Sequence, residues 1–453
     1  MSLKVLKFGG EALESPEALG RVREIVQAEL PGGGVVVSSA RNGSRGRLLQ
    51  ALESARRGDL HEANARLAEL QEGHERLAAC LGLGEEHGRR CGTLFQRLGA
   101  LVEGSALVRE ASARTQDAAL AAGEILSAHL LADWLKQDGT QARFLEAGEL
   151  LRTDGVHGHA RPDLQATRLA AGSQAPGLRR GARVVVPGGI GQGPDGAPTT
   201  LGRGFSDTSA TLLGEALDAD EVQIWTQVDG ILTADPSLVP EARPIPRMSF
   251  AEASALCAFG AKVLHADSLA PAARAGFPLL VANALRPRAS RTSVLPGSLV
   301  RRPGEVTSVA YKEGVLAVRF PGAFPLEELL ATALRLEEGG FQRFGLLSDP
   351  EGSLLVVHPG SQAPERTVRE LESAGARVER GWAVVALVGE GLRLDPGAPA
   401  RLLAPLAAER LGAVLGGGPG SVAFLLPEDR LAEWIPRLHR TFILDAECAT
   451  LGT

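Results

Sequence analysis

The chain has 453 residues, more than a single hydrophobic core accommodates, so two or three domains are expected. Hydrophobic residues make up 44% and charged residues 23%, which excludes a disordered chain. The formal net charge of -6 argues against non-specific binding to nucleic acid or a membrane surface, since both require a positive field.

Met1 to Lys7 runs straight into a glycine turn, with no long apolar run and no small-residue cleavage pattern, so no signal peptide is expected. Lys4–Phe8 reads as a short strand ending at Gly9-Gly10. Pro16–Leu30 has helical periodicity, with Ser15 as N-cap and Pro16 in the first turn. Gly34–Ser39 is Val-rich, as in a strand buried on both faces of a parallel sheet. Strand, turn, helix and strand open an α/β fold. Residues 48–135 are rich in Ala, Leu, Glu and Arg and predict a run of helices broken near Gly82-Leu83-Gly84 and at Gly104. No stretch reaches the roughly 18 uninterrupted apolar residues of a membrane span. Further strands are expected at Arg183–Pro187, Glu221–Thr226 and Pro278–Asn283, and helices at Ser209–Leu217 and Phe250–Leu264. None of Cys80, Cys91, Cys257 and Cys448 forms a CxxC pair, which suits buried or incidental thiols in a reducing compartment.

Composition changes near Arg286-Pro287 and at Arg302-Pro303-Gly304, and a domain boundary is placed there. Beyond it the predicted order is strand (306–311), strand (315–320), helix (325–337), two strands (343–347 and 353–357) and a helix (363–374). A second round follows, with a strand at 382–388, a helix at 400–410, strands at 412–415 and 421–426, and a helix at 430–440. Two such rounds predict two ferredoxin-like βαββαβ modules. The domains are therefore expected at 1–294, 305–380 and 381–453, with the last strand free to return and complete the middle one.

Four segments carry candidate chemistry. Lys7-Phe8-Gly9-Gly10 ends a strand with a cation beside glycines that let backbone approach an anion; it reads as a phosphate site or as a plain turn, and it is not a Walker A loop. Gly123-Glu124-Ile125-Leu126-Ser127 places a glutamate before an apolar helical face, as a helix-start charge or as a ligand group. In Thr199–Thr208, Gly202 and Gly204 flank Arg203, a fork for a carboxylate, and Ser206-Asp207 open a helix whose N-terminus favours anions. In Ile224–Pro236 a strand ends in turn-forming residues, where open α/β sheets bind ligands. Downstream, Phe259–His265 carries Lys262, a solvated lysine or a phosphate contact.

In this order, the KFGG start, the GE-x-x-S segment, the TTLGRGFSD stretch, WTQVDG, TADP and FGAKVLH together resemble the aspartate kinase family over residues 4–294. Val388–Gly391 and Leu438–Phe442 resemble its paired ACT domains, which extends the likeness to nearly the whole chain. The resemblance implies a three-layer αβα amino-acid kinase domain with a mostly parallel sheet and two ACT domains. It implies transfer of the ATP γ-phosphoryl group to the β-carboxylate of L-aspartate, with Mg²⁺ and no resident protein-bound metal. Also implied are a cytoplasmic homodimer paired through the ACT domains and lysine or threonine as feedback effector. Among the matching positions, Lys7 would contact the transferred phosphoryl group and Asp207 orient it. Arg203 would hold the α-carboxylate and Glu124 the ammonium group, with Ser39 and Ser206 beside the substrate. Gly9, Gly10, Thr226, Gln227, Asp235 and Lys262 would line the nucleotide.

The chemistry fits those residue types. Both reactants are anionic and repel, and a carboxylate needs no general base. Catalysis reduces to positioning and cationic stabilisation.

Several positions depart from the family pattern. Glu11-Ala12 replace Thr-Ser after KFGG, and the loop Ser39–Gly46 contains no threonine. Phe205 replaces a glycine, and would be strained if the backbone there needs positive φ. Gln227, Leu232, Ser237 and Ala266 also differ. Two alternatives follow: a kinase for another small carboxylic acid, or a non-catalytic amino-acid sensor with a degenerate kinase domain.

Overall fold

The computed structural model describes residues 2–137, 139–140, 142–202, 204–260, 264–322, 325–349, 352–360, 365–406, 411–415 and 420–445. The chain divides into a first unit, Met1–Ile231 with Leu264–Pro296, and a second, Leu232–Val263 with Gly297–Thr453. Residues before 294 are thus shared between the two.

The first unit begins with β1 (Lys4–Phe8), α1 (Pro16–Glu29) and β2 (Gly34–Ser38). The Ser15 hydroxyl caps α1 by accepting from the Ala18 N–H at 3.2 Å. Four helices follow: α2 (Ser44–Arg57), α3 (Leu60–Cys80), α4 (Glu85–Val108) and α5 (Ala113–Lys136). The break expected near Gly82 is present, but α4 runs through Gly104 and ends instead at Arg109, whose φ is 54°. By length and composition α5 could cross a membrane, the one such helix among the described residues, yet 67% of its apolar window is buried inside the protein. It packs between two cores. One forms with Leu48, Leu67 and Leu98, the other with Leu6, Val36 and Trp225.

The remainder of this unit comprises β3 (Ala142–Phe144), α6 (Leu164–Arg179), β4 (Arg183–Pro187), the hairpin β5 (Ile190–Gln192) and β6 (Pro198–Thr200), α7 (Ser206–Ala216) and β7 (Glu221–Thr226). Next in the chain, β8 (Arg247–Ser249) and α8 (Phe250–Ala258) belong to the second unit. The helix expected through Leu264 therefore stops six residues early, and α9 (Ala266–Ala275) begins afresh before β9 (Leu279–Asn283) and β10 (Thr292–Leu295). Within the first unit the sheet order is β3-β4-β2-β1-β7-β9-β10. All pairings are parallel except β9 with β10. The Val-rich runs of β2 and β4 are buried throughout, as sheets covered by helices on both faces require.

The second unit holds β11 (Ser308–Pro321), α10 (Leu326–Glu338), β12 (Phe341–Asp349), β13 (Gly352–Pro359), α11 (Glu365–Ser373), β14 (Arg377–Val388), α12 (Ala398–Leu403), β15 (Ala413–Val414), β16 (Ser421–Pro427) and α13 (Leu431–His439). Its antiparallel sheet runs β12-β13-β11-β14-β16-β15. The two strands expected at 306–320 are one strand. Lys312–Gly314 forms an irregularity in its pairing with β14, and Gly314 supplies a φ of 70°. That bulge shifts which side chains face inward. Val309 joins the core containing Val385, Phe424 and Trp434, whereas Leu316, Val318 and Phe320 join the core containing Leu329 and Leu355. One sheet thus supports two helix-covered cores.

Candidate active site

Four parallel strands end at one level. Phe8 pairs with Ser38 and Trp225, and Ser38 with Pro187, so β1, β2, β4 and β7 finish together. At β1 the strand order turns, with β2, β4 and β3 on one side and β7 and β9 on the other. Such a switch point opens a crevice at the carboxyl ends of the strands. The turns there approach closely because they lack side chains. A Cβ on Gly10 would lie 2.4 Å from the Ala40 carbonyl oxygen, and one on Gly188 would lie 2.9 Å from the Ser206 Cβ. The Gly9 N–H donates to the Trp225 carbonyl at 3.2 Å and fixes the first turn against β7.

Lys7 leaves β1 near its end. Its Nζ lies 2.7 Å from Asp207 Oδ1, and the two side chains are only 12% and 13% exposed. Asp207 stands in the first turn of α7, beside Ser206, so the ammonium group is held at a helix N-terminus. An ammonium group, a helix N-terminus and the N–H groups of a glycine turn offer donors for an anion.

Glu124 on α5 reaches the same region from the other side. Its carboxylate accepts from the Ala40 N–H, and a Cβ on Gly189 would find Glu124 Oε1 and Ser206 Oγ each at 3.9 Å. The side chain keeps some open surface, but protein encloses the carboxylate itself. That burial pushes its pKa up to about 8, against the opposing pull of the Ala40 N–H, Arg45 and Lys7. Glu124 is therefore poised to accept a cationic group, whose arrival would restore its charge.

The strain expected at Phe205 is not found. Its φ is -79°, and the positive angles fall on Gly202 (113°) and Gly204 (82°). The Phe205 ring packs on His265 at a centroid distance of 4.7 Å.

The structure brings together Lys7, Gly9, Gly10, Ser39, Glu124, Ser206 and Asp207. Ser39 follows β2, and its N–H donates to the Phe8 carbonyl at 3.1 Å. Thr226 ends β7, and its carbonyl accepts from the Ala284 N–H at 2.7 Å. The Gln227 side chain is exposed while its carbonyl accepts from Asn283 Nδ2 at 2.7 Å, so at this position the backbone carries the shape. Asp235 belongs to the second unit, where its carboxylate accepts from the Ser237 N–H and hydroxyl and from Tyr311. Arg203 and Lys262 lie outside the described residues. Sequence reasoning gave no site role to Arg45, whose charge acts on Glu124, or to the Gly188-Gly189 turn that follows the strand at 183–187. The second had a signal: like KFGG, it is a glycine pair directly after a buried strand.

The amino acid kinase family profile matches residues 2–283. Lysine-sensitive aspartokinase 3 of Escherichia coli is 31% identical over 459 residues, spanning 96% of this chain and 98% of that one. The chain belongs to the aspartokinases, within the amino acid kinase family. Chloroplastic aspartokinase 1 of Arabidopsis thaliana is 30% identical over 85% of this chain and 70% of its own. Among solved structures, E. coli aspartokinase III with aspartate and ADP superposes with a TM-score of 0.84 at 28% identity, covering 96% of this chain and 99% of that one. The same enzyme with lysine and aspartate gives 0.80 at 27% identity, covering 97% and 99%. The αβα unit with its mostly parallel sheet, followed by the antiparallel sheet of paired ACT-like modules, is therefore an aspartokinase fold in this chain as well.

Proposed function

We propose that this protein transfers the γ-phosphoryl group of ATP to the β-carboxylate of L-aspartate. The observation that carries the reading is the Lys7–Asp207 pair, set at a helix N-terminus beside the glycine turn and facing the enclosed Glu124 across one crevice. Lys7 stabilises the charge that spreads over the moving phosphoryl group, and Asp207 holds the ammonium in place. Glu124 takes the substrate ammonium, with Ser39 and Ser206 beside it, and Arg203 takes the α-carboxylate. Gly9, Gly10, Thr226 and Gln227 serve the nucleotide.

Mg²⁺ arrives with ATP. Such sites hold it through phosphate oxygens and water with one or two carboxylates. Asp207, which has one oxygen on Lys7, and Glu11, whose Oε2 lies 2.8 Å from where a Gly9 Cβ would be, fit that demand. When bound, the ion supplies neutralisation of phosphate charge.

The domain scheme keeps 1–294 as the kinase and 305–380 and 381–453 as regulatory modules, in a cytoplasmic homodimer inhibited by lysine. A hydroxamate assay with aspartate and Mg-ATP tests the activity. Aspartyl hydroxamate should form and fall to background in Lys7→Ala, whereas no product above that control from folded protein would reject the reading. A flat activity curve up to millimolar lysine would reject the effector.

A further inference from the structure

Behind the crevice, the helical part of the first unit buries a second cluster that the kinase chemistry does not use. His74 on α3, with His87 and Cys91 one turn apart on α4, are 4%, 3% and 3% exposed. His87 Nε2 lies 3.1 Å from His74 Nε2 and 3.4 Å from Cys91 Sγ. Their three donor atoms all fall within 4.8 Å of one another, the one such group of His, Cys, Asp and Glu among the described residues.

Behind His87, its Nδ1 sits 2.8 Å from Asp133 Oδ2, and Arg90 braces the same carboxylate at 2.7 Å. This contact fixes the tautomer. With Nδ1–H donating to Asp133, the Nε2 lone pair of His87 faces both His74 Nε2 and Cys91 Sγ. A cation at the centre of the triangle lets all three atoms act as ligands. The two spacings at His87, 3.1 and 3.4 Å, are close to those of tetrahedral zinc, which with Zn–N of about 2.1 Å and Zn–S of about 2.3 Å sets its donors roughly 3.3–3.6 Å apart. Carboxylate behind histidine is also the arrangement that orients and strengthens an imidazole ligand.

We propose that His74, His87 and Cys91 form a binding site for a borderline-to-soft divalent cation, best matched by Zn²⁺. Two imidazoles and one thiolate favour such an ion over Mg²⁺, which prefers oxygen. Binding expels the Cys91 thiol proton and leaves a fourth position for water. The ion clips α3 to α4 across the turn at Gly82–Gly84. Its effect reaches the crevice through Gly73, beside His74, whose carbonyl accepts from Arg41 Nη1 at 3.2 Å; Arg41 follows Ala40, the residue that donates to Glu124.

The test uses full-length protein stripped with a chelator and titrated with Co²⁺, then Zn²⁺. Wild type should take up one equivalent of Co²⁺ with a thiolate-to-cobalt charge-transfer band, which Zn²⁺ removes by displacement. Zn²⁺ should also raise Tm. Cys91→Ser should lose the band while keeping its far-ultraviolet circular dichroism. Absence of the band in folded wild type, or its survival in Cys91→Ser, would each overturn the site and leave a hydrogen-bonded histidine pair. Aspartate phosphorylation plays no part in these readouts, so the outcome is independent of the function proposed above.

Discussion

The two units bury charge for opposite purposes. In the second, Glu252 is 1% exposed and fully engaged: it accepts from Arg301 at 3.0 and 3.1 Å, from the Thr307 hydroxyl at 2.7 Å, and from the Ser249 and Glu390 N–H groups at 3.1 Å. Burial raises its pKa, but Arg301, Thr307 and the Ser249 N–H outweigh that, and the net shift is downward. In the first unit, Glu124 has one backbone donor and a pKa near 8. A satisfied carboxylate holds a fold together, whereas an under-satisfied one awaits a ligand. That contrast separates structural from functional charge without reference to sequence similarity.

The strongest way to break the comparison is to remove the satisfied charge. Glu252→Ala removes the main partner of the half-buried Arg301, leaving it Glu305 at 3.6 Å and the Arg247 carbonyl, and strips acceptors from Thr307 and the Ser249 and Glu390 N–H groups; it should cost about 3 kcal/mol of stability in urea unfolding. Because the folded pKa is depressed, the stabilisation is present above the ordinary glutamate range and fades as pH falls through the folded value. Wild type should thus lose stability in acid more steeply than Glu252→Gln. Equal acid slopes would show that this carboxylate is not held as an anion.

Removing the charge assigned to chemistry should act differently. Lys7→Ala should lower kcat by about 10²–10³-fold, the usual cost of losing one stabilising group at a transition state. Its Tm should move far less than that of Glu252→Ala. A large Tm loss with a small loss of kcat would place Lys7 on the structural side.

Glu124 sharpens the distinction through protons. With a pKa near 8, it is protonated in most unliganded molecules at pH 7. Between the ordinary 4.5 and about 8 the folded state binds the extra proton, so this residue makes unliganded stability fall as pH rises across that window. An incoming ammonium group reverses the shift. Aspartate binding at pH 7 should therefore release about one proton, and affinity should tighten by about tenfold per pH unit toward 8 before levelling. Calorimetry in buffers of differing ionisation enthalpy reads the proton count. Release that persists in Glu124→Gln would assign it to another group.

The fold was legible where one pattern dominates. Val-rich runs and glycine turns marked β1, β2 and β4, and with them the crevice, because strands buried on both faces leave a continuous apolar signature. Lys7, Ser206 and Asp207 were legible because each sits within a few residues of such a strand end or of a helix start. Arg45 and the histidine–cysteine cluster were not, since helix packing, which single-chain periodicity does not encode, sets their neighbours. The single strand β11 was hidden for a related reason. A bulge reverses its inward-facing alternation at Lys312–Gly314, and the pattern then reads as two strands.

The mildest test returns to a glycine. Gly104 reads as a helix break, yet it lies inside α4, exposed, with nothing within 4 Å of an added Cβ. Glycine in a helix interior costs roughly 0.5–1 kcal/mol relative to alanine, through backbone entropy lost on folding. Gly104→Ala should therefore stabilise the protein by about that amount and raise Tm, with kcat unchanged. Were the chain to turn at Gly104, the position would need a left-handed angle and alanine would destabilise it instead. The sign of one small Tm shift thus decides whether α4 is continuous, and with it whether Val102 and Ala106, which pack on the same core as Leu48 and Leu120, lie on one helix.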